Sequence, residues 1–434
     1  MCYPQAEGAF ALDKQTNSAG RLWRALGPGL VTGAADDDPS GIATYSQAGA
    51  QFGYALTWTM FLTLPFMVAI QIISATIGWQ SRRGLASNLA RQLPSPALYG
   101  LVAMLVVANT INIAADLAAM AEALRLVVGG PVLIYAAGFG LACLTVEVFV
   151  PYHRYAGYLK FLTLVLLVYV AAAFSVGVPW DRVIASTLAP TVLLDRDYFL
   201  TIVAVFGTTI SPYLFFWQAS QEAEESRLSY RRALASGDQP LAHSFSQISI
   251  DTWIGMTFSN LIAFFIIVTT AATLNAHGVT KIETASQAAE ALRPIAGEFT
   301  FALFAAGIIG TGLLAVPILA GSAAYAVAEA FGLRGSLELP ASRALGFYGI
   351  VGAATLGGAA LAATRIDPIA MLFWTAVING VVAVPVMVAV MVMVSNGRGT
   401  VNFALPPWLR FCGWLASGLM ALAVALFALS SLLP

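Results

Sequence analysis

Long segments without a charged residue dominate this chain and limit what it can fold into. Ten segments of twenty or more residues contain no Asp, Glu, Lys or Arg, and each can cross a hydrocarbon core of about 30 Å as an α-helix. A soluble domain carries roughly 25% charged residues, whereas this chain has 10%. We therefore expect an all-α integral membrane protein. The ten segments are 39–81, 92–115, 126–146, 161–180, 198–221, 252–280, 299–328, 344–364, 368–397 and 411–434.

The first uncharged segment is too long for a single span and predicts two. The sequence QFGY at 51–54 divides it into the end of a span that begins near Leu26 and a complete second span. Eleven spans are therefore expected. Residues 1–20 are polar and are predicted to be a cytosolic tail, and residues 21–434 are predicted to form one transmembrane domain.

Basic residues in the connections predict the orientation of these spans, because Lys and Arg near span ends stay cytoplasmic. With a cytosolic N-terminus, fifteen Lys and Arg residues fall in cytoplasmic segments and six in external ones. This bias predicts a multi-pass protein of the cytoplasmic (inner) membrane with an external C-terminus. No basic stripe suggests a nucleic-acid partner, and the three Cys residues lack the spacing of a disulfide framework or a zinc site.

Two predicted spans are interrupted by proline in a similar way. The first breaks at Asp38-Pro39-Ser40-Gly41 and the sixth at 208–213, Thr-Thr-Ile-Ser-Pro-Tyr. Each break frees backbone groups at mid-membrane depth, where only protein, water or an ion can satisfy them. Breaks five spans apart are typical of an inverted five-plus-five repeat with a substrate site at the repeat interface. Harmless proline kinks are the alternative.

An inverted repeat would divide the transmembrane domain into two related halves. Repeat one would cover about 25–178 and repeat two about 197–396, and an extra eleventh helix would cover about 406–432.

Three carboxylates precede the first proline, and helical spacing spreads them over about 200°, so they cannot all reach one ion. Asp38 adjoins the break and is the expected ligand. Asp37 is placed to act through water, and Asp36 to face a vestibule. We expect all three at the C-terminal end of the first half-helix, where the dipole disfavours an anion and favours a bound cation.

The sixth-span break adds further oxygen donors, and neither break contains Cys, His or Met. Such a hard donor set suits Mg²⁺, Mn²⁺ or Ca²⁺, and small residues leave room for a partly hydrated ion. The alternative is that the small residues serve close helix packing. The donors are Thr208, Ser211 and Tyr213, with small side chains at Ser40, Gly41 and Ser211.

Polar residues in two other spans predict a path for ions or protons. Gln218 and Glu222 belong to a polar stripe on the inner half of the sixth span, which either lines an exit path or caps the span. Asp116 lies within the third span, where an acidic residue is a functional candidate or a hydrogen-bonding partner of a neighbouring helix. Glu147 and Asp251 lie near span ends and are expected to be interfacial.

At this point the sequence resembles a known family. The stretch GPGLVTGAADDDPSGIATYSQAGAQFGY is similar to the first span of the Nramp (natural resistance-associated macrophage protein) divalent-metal transporters, where GPG is followed by DPGN. The eighth-span sequence GTGLLAVPILAGSAAYAVAEAFG and the DLA at 116–118 also match the family. The resemblance covers about residues 25 to 425. It implies eleven spans in a five-plus-five inverted repeat of the leucine-transporter type, with discontinuous first and sixth helices.

The resemblance also implies roles for single residues. Asp38 matches the metal-binding aspartate, Thr208 the residue whose backbone carbonyl binds metal, and Asp116 the proton-route aspartate. The metal-contacting glutamine of the family's tenth span has no clear counterpart here; the polar candidates nearby are Trp374, Thr375 and Asn379, of which we choose Asn379.

The chain departs from the family pattern within the site. Gly41 replaces an asparagine, Ala119 replaces a glutamate of the proton route, and Ser211-Pro212-Tyr213 replaces Met-Pro-His, so the thioether and the histidine are lost. These losses resemble the divergent Nramp-related magnesium transporters.

The sequence thus predicts a secondary transporter that imports Mg²⁺ or Mn²⁺, partly hydrated, by alternating access with weak or absent proton coupling. Apart from the transported ion no cofactor is expected, and a single copy in the lipid bilayer is expected to suffice. The alternative is a sodium-coupled carrier of amino acids or other small organic solutes on the same architecture. An enzyme is not expected, because no nucleophile–base pair or phosphate loop is present.

Overall fold

The computed structural model describes residues 28–150, 163–236, 245–364, 366–395 and 403–431. The predicted cytosolic tail at 1–20 lies outside these ranges. Within them, all regular structure is helical.

Seventeen α-helices account for most of the described chain. They are α1 Pro28–Asp36, α2 Pro39–Phe52, α3 Trp58–Ser81, α4 Leu85–Leu89, α5 Ser95–Val128, α6 Val132–Phe149, α7 Leu167–Ser175, α8 Trp180–Leu188, α9 Arg196–Thr209, α10 Pro212–Ser236, α11 Phe245–Thr273, α12 Ala285–Glu290, α13 Arg293–Ala296, α14 Thr300–Ala330, α15 Leu345–Ala362, α16 Pro368–Ser395 and α17 Pro407–Ser430.

Most of the predicted spans are present as long apolar helices. Among the described residues, nine helical segments are long and apolar enough to cross a membrane: α3, α5, α6, α9 with α10, α11, α14, α15, α16 and α17. The predicted first span corresponds to the two shorter helices α1 and α2. The predicted fifth span corresponds to α7, which is followed by α8 after a bend of 112°.

The first break differs from the predicted one in its position. Helix α1 ends at Asp36 and α2 begins at Pro39, so the unwound residues are Asp37 and Asp38, and Pro39-Ser40-Gly41 form the first turn of α2. Proline is favoured there because its fixed φ suits the first helical position and its missing N–H is not needed. The side chain of Asp38 caps the same turn by accepting a hydrogen bond from the Gly41 backbone N–H.

The second break has the same form. Helix α9 ends at Thr209 and α10 begins at Pro212, which leaves Ile210 and Ser211 unwound. In both broken spans the proline thus starts the second half-helix, and the residue before it lies at the junction.

Glycine allows the half-helix α1 to lie directly against α11. The backbones of Gly33 and Gly255 are so close that a Cβ atom on either glycine would overlap the other helix. Asp251 on α11 accepts a hydrogen bond from the Gly29 backbone N–H at 2.7 Å, at the start of α1. Small residues allow such backbone approach between membrane helices, and here they hold the first break against the seventh span.

Candidate functional site

The three consecutive carboxylates lie inside the helix bundle, out of contact with solvent. Asp36 is 1% exposed, Asp37 0% and Asp38 2%. A carboxylate at such depth needs partners, because each one costs on the order of 2.5–3.5 kcal/mol to insert at a membrane centre.

Asp38 has three hydrogen-bond donors around its carboxylate. The Ser40 hydroxyl and the Gly41 N–H both donate to Oδ1 at 2.7 Å, and the Asn112 side-chain amide donates to Oδ2 at 3.2 Å. Asp38 therefore sits at the positive N-terminal end of α2, and only Asp36 ends the preceding half-helix. The predicted placement of all three acids at a negative helix end was wrong for Asp38, because Pro39 starts a new helix directly after it.

Asp36 and Asp37 face the seventh span, and Asp36 does not line an open vestibule. The Ser259 hydroxyl on α11 lies 2.7 Å from Asp36 Oδ2 and 3.0 Å from Asp37 Oδ1. A hydroxyl has one proton to donate, so it cannot donate fully to both oxygens at once. Asp36 Oδ1 and Asp37 Oδ2 have no hydrogen-bond partner among the described residues, which leaves acceptor oxygens available at the first break.

The second break lies directly beside the first. A Cβ atom placed on Gly41 would be 3.0 Å from the Thr208 hydroxyl oxygen, so the absence of a side chain at 41 is what lets the two breaks approach. The Ser211 hydroxyl lies 2.9 Å from the Gly207 carbonyl oxygen and 2.8 Å from the Thr208 carbonyl oxygen. A carbonyl oxygen has two lone pairs, so each of these can accept from Ser211 and still bind a cation.

Tyr213 connects the two broken spans. Its hydroxyl donates to the Ala35 carbonyl at 3.0 Å, and its own carbonyl accepts a hydrogen bond from Ser322 on α14 at 2.7 Å. The phenolic oxygen is thus held at the end of α1, one residue before the three carboxylates.

Two further polar residues bring acceptor oxygens to the helices around the breaks. Asp116 is fully buried on α5, one turn beyond Asn112, and both its oxygens lack a hydrogen-bond partner among the described residues. Asn379 is buried on α16, and its amide oxygen likewise lacks such a partner. The adjacent Gly380 packs against the backbone of Gly207, which places this turn of α16 next to the end of α9.

The polar stripe of the sixth span is enclosed by neighbouring helices. Gln218 donates to the Thr252 hydroxyl of α11 at 3.0 Å, and Gln221 donates to the Tyr325 hydroxyl of α14 at 3.2 Å. Glu222 is also buried. The stripe therefore packs between α11 and α14 and does not line an open path in this conformation.

Sequence reasoning missed two residues that contact the carboxylates, and it misplaced two other acidic residues. Asn112 could have been noticed, because it precedes Asp116 by one turn on the same helix face. Ser259 lies between Thr257 and Asn260 in an otherwise apolar span, so nothing in the sequence distinguishes it, and only the packing of α11 on α1 gives it a role. Glu147 and Asp251 were both predicted to be interfacial, but they are 2% and 5% exposed. Glu147 lies beside Thr355 of α15, and Asp251 contacts the start of α1.

The geometry restricts how these groups can hold a cation. In the part of the chain that the structure describes, no three His, Cys, Asp or Glu side chains lie close enough together to hold a metal ion. A metal at the breaks would therefore be held by at most two such side chains, together with carbonyl, hydroxyl, amide or water oxygens.

Removing the Asn112 amide is expected to weaken cation binding at the breaks. Hydrogen bonds to a charged group contribute about 1.5–3 kcal/mol, so Asn112→Ala should weaken metal affinity by roughly 10- to 100-fold. Metal-dependent thermal stabilisation of the purified protein measures this. Thr110→Ala, whose hydroxyl bonds only within its own helix, is the control and should leave the affinity unchanged. Equal effects of the two substitutions would contradict a role for Asn112.

A comparison with known families identifies the chain's relatives. The sequence profile of the Nramp family, described as natural resistance-associated macrophage protein-like, matches residues 29–430. The chain belongs to the Nramp family. This confirms the resemblance noted in the first, third and eighth spans.

Individual relatives and a solved structure agree with this membership. The chain is 27% identical over 295 residues to the divalent metal cation transporter MntH of Yersinia enterocolitica, covering 66% of this chain and 68% of that protein. It is 30% identical over 310 residues to MntH of Verminephrobacter eiseniae, covering 68% and 67%. The manganese transporter of Eremococcus coleocola superposes with a TM-score of 0.69 at 16% identity, covering 94% of this chain and 87% of that one.

These similarities establish the architecture as well as the family. The chain is an all-α, multi-pass membrane protein with the inverted-repeat fold and discontinuous first and sixth helices. Membership of the Nramp family agrees with the prediction that the chain is not an enzyme, and it does not favour the sodium-coupled alternative.

Proposed function

We propose that this Nramp protein is a secondary transporter that imports a hard divalent cation, Mg²⁺ or Mn²⁺, across the cytoplasmic membrane by alternating access. The observation that carries the proposal is the close approach of the two helix breaks, with Asp38 at one and the Thr208 carbonyl in the last turn of α9 at the other. Broken helices that meet in mid-membrane are the usual substrate site of inverted-repeat transporters.

Oxygen atoms from both breaks would hold the ion. Asp38 would be the charged ligand, and the Thr208 carbonyl and Ser211 hydroxyl would bind from the opposite side. Asp37 has an unpaired oxygen and would act through water, while the Gly41 position leaves space for a retained water. Mg²⁺ commonly keeps several waters and binds through one or two carboxylates.

Three further groups would complete the surroundings of the ion. The phenolic oxygen of Tyr213 is held close to the first break by Ala35. Asn379 brings a buried amide oxygen on the tenth span. Asn112, beside Asp38, supplies a carboxamide that the family pattern has at the position of Gly41.

The composition of the site supports a hard ion as substrate. The names of the relatives mention divalent metal cations and manganese, and Mn²⁺ and Mg²⁺ both accept carboxylate, carbonyl and water ligands. Serine at 211 replaces the thioether that would favour softer metals. This donor set suits either Mg²⁺ or Mn²⁺.

Alternating access would require the inner halves of the broken spans to move. Hydrogen bonds from Gly29 to Asp251 and from Ser259 to the two acids hold α1 on α11, and these contacts would separate when the inner side opens. Gln218 and Glu222 would then line the exit. Asp116 would lie on the ion or proton route, and the lost histidine and Ala119 support weak or absent proton coupling.

The proposed orientation has a cytosolic N-terminus and an external C-terminus in the inner membrane, and one copy would suffice for transport. This orientation rests on the basic residues of the connections.

Uptake into proteoliposomes with competing ions tests the proposed function. We expect labelled Mn²⁺ to enter, unlabelled Mg²⁺ to compete with it, and the internal pH to stay constant during entry. Empty liposomes give the background. Uptake no faster than this background would refute transport, and acidification that follows metal entry would refute weak proton coupling.

The same assay with Ser211→Met tests the site assignment. A thioether prefers soft metals, so we expect Cd²⁺ and Mn²⁺ to compete better against Mg²⁺ than they do in the unchanged protein. Ser417→Met, a buried serine on α17 away from the breaks, is the control. An unchanged ion preference in Ser211→Met would exclude Ser211 as a ligand.

A further inference from the structure

Outside the site, a cavity of about 890 Å³ opens on the predicted cytoplasmic side. It lies among the connection between α3 and α4, the inner part of α10, and the connection between α14 and α15. Five arginines line it, against three glutamates: Arg82, Arg83, Arg227, Arg231 and Arg334, with Glu224, Glu329 and Glu338. We refer to this feature as the basic cavity.

The arginines come from three separate parts of the chain and have few acidic partners. Arg82 stacks on the Tyr230 ring at 4.1 Å, and Arg227 donates to the Ala223 carbonyl of its own helix. Among the described residues, the salt bridges do not include any of the five arginines, although Arg227 interacts electrostatically with Glu224 and Glu329. Their charge is therefore directed towards the cavity and the solvent in it.

Two of the cavity glutamates are already engaged by uncharged donors. Glu329 accepts hydrogen bonds from the Ser220 hydroxyl at 2.8 Å and the Ser87 backbone N–H at 3.2 Å. Glu224 accepts from the Tyr325 hydroxyl at 2.9 Å. Glu224 is buried and Glu329 is half-buried, so they form the floor of the basic cavity, while the exposed arginines surround its mouth.

We propose that the basic cavity binds a phosphate-bearing anion. A guanidinium group is planar and can hold two phosphate oxygens at once, which makes arginine the preferred partner of phosphate groups. The volume falls within the about 300–1,000 Å³ typical of small-molecule sites, which is sufficient for a nucleotide or pyrophosphate. The headgroup of an anionic lipid offers the same chemistry from the membrane surface.

Binding there would also affect the transport cycle, a consequence that rests on the function proposed above. An anion shared by Arg83, Arg227 and Arg334 would hold three elements together: the α3–α4 connection, the inner half of the sixth span and the α14–α15 connection. The sixth span has to move against its neighbours for the inner side to open. The ligand would therefore stabilise the inward-closed state and slow uptake.

A binding measurement on the purified full-length protein tests the site independently of transport. Protein in nanodiscs of neutral phosphatidylcholine is titrated calorimetrically with metal-free ATP and with pyrophosphate. We expect saturable binding that Arg83→Gln/Arg334→Gln weakens at least tenfold. Arg91→Gln/Arg343→Gln, which removes two exposed arginines of the same side outside the cavity, should change it less than twofold.

Additional conditions distinguish the source of the phosphate. Nanodiscs that contain phosphatidylglycerol should compete with ATP if a lipid headgroup occupies the cavity, and should leave ATP binding unchanged if the ligand is soluble. Arg83→Lys/Arg334→Lys, which keeps the charge, should retain part of the affinity, and size-exclusion profiles show whether each variant is folded. Two results would refute the site: no binding of any of these probes, or equal weakening by both glutamine double variants.

The effect on transport is measured with pyrophosphate sealed inside proteoliposomes. We expect slower initial uptake in the unchanged protein and no slowing in Arg83→Gln/Arg334→Gln, which also controls for metal chelation in the lumen. Binding without this slowing would refute the stabilisation of the inward-closed state. Absence of uptake without pyrophosphate would refute the proposed function and leave the binding result standing.

Discussion

Replacement of Asp38 by alanine is expected to reduce metal uptake in proteoliposomes to background. Of the three carboxylates, that of Asp38 accepts hydrogen bonds from Ser40, Gly41 and Asn112 where the two breaks meet. Removing a buried charge from its partner costs about 3–5 kcal/mol, which corresponds to a loss of more than about a hundredfold in affinity. Initial rates of labelled Mn²⁺ uptake, with and without competing Mg²⁺, measure the loss.

Two further variants make the Asp38 result specific. Asp38→Asn keeps the shape and the ability to accept from Gly41 but removes the charge, so it should fold normally and still fail to transport. Asp181→Ala removes an exposed carboxylate at the start of α8 and should transport at the normal rate. Uptake by Asp38→Asn above about a tenth of the normal rate would show that the charge at 38 is not required for binding.

Replacement of Gly33 by valine is expected to have the second-largest effect, this time on stability. A side chain at 33 would overlap the Gly255 backbone, so α1 could no longer lie against α11. The contacts of Asp251 with Gly29, and of Ser259 with Asp36, would be lost with it. Overpacking costs about 1–3 kcal/mol or more, which for a chain of this length we expect to lower the thermal midpoint by roughly 1–3 °C or more, or to abolish the monodisperse peak.

The matched control for Gly33→Val is a glycine with open space around it. At Gly138 on α6 a Cβ atom would have no neighbour within 4 Å, so Gly138→Val should leave the thermal midpoint unchanged. Both variants replace a helical glycine of an apolar span with valine, so the comparison isolates the contact between α1 and α11. Similar midpoints for the two variants would contradict the close packing described above.

The spans were predictable because apolar side chains are favoured in lipid, whereas charged side chains are favoured in water. A run of twenty uncharged residues has few alternatives to a membrane helix, and the structure has long apolar helices in most of the predicted segments. Proline also indicated both breaks. The exact unwound residues were not predictable from proline alone, since Pro39 can end one helix or start the next, and the cap supplied by Asp38 decides which.

The candidate site was predictable only in its local part. Asp38 could be selected from its neighbours because of its position beside the proline. The roles of Asn112 and Ser259 could not, since each contacts the first break across more than 70 residues of sequence. The same holds for Glu147, whose burial depends on the packing of α15 against α6.

The sequence by itself determined that the chain is a membrane protein with two broken spans, and its motifs indicated the family. These properties follow from local composition and short-range sterics, which act wherever the chain goes. Only the tertiary structure decided which groups surround the break: Asn112 on Asp38, Ser259 between Asp36 and Asp37, and Gly41 against Thr208. Such contacts form between helices that are distant in sequence, so hydropathy and residue spacing do not predict them.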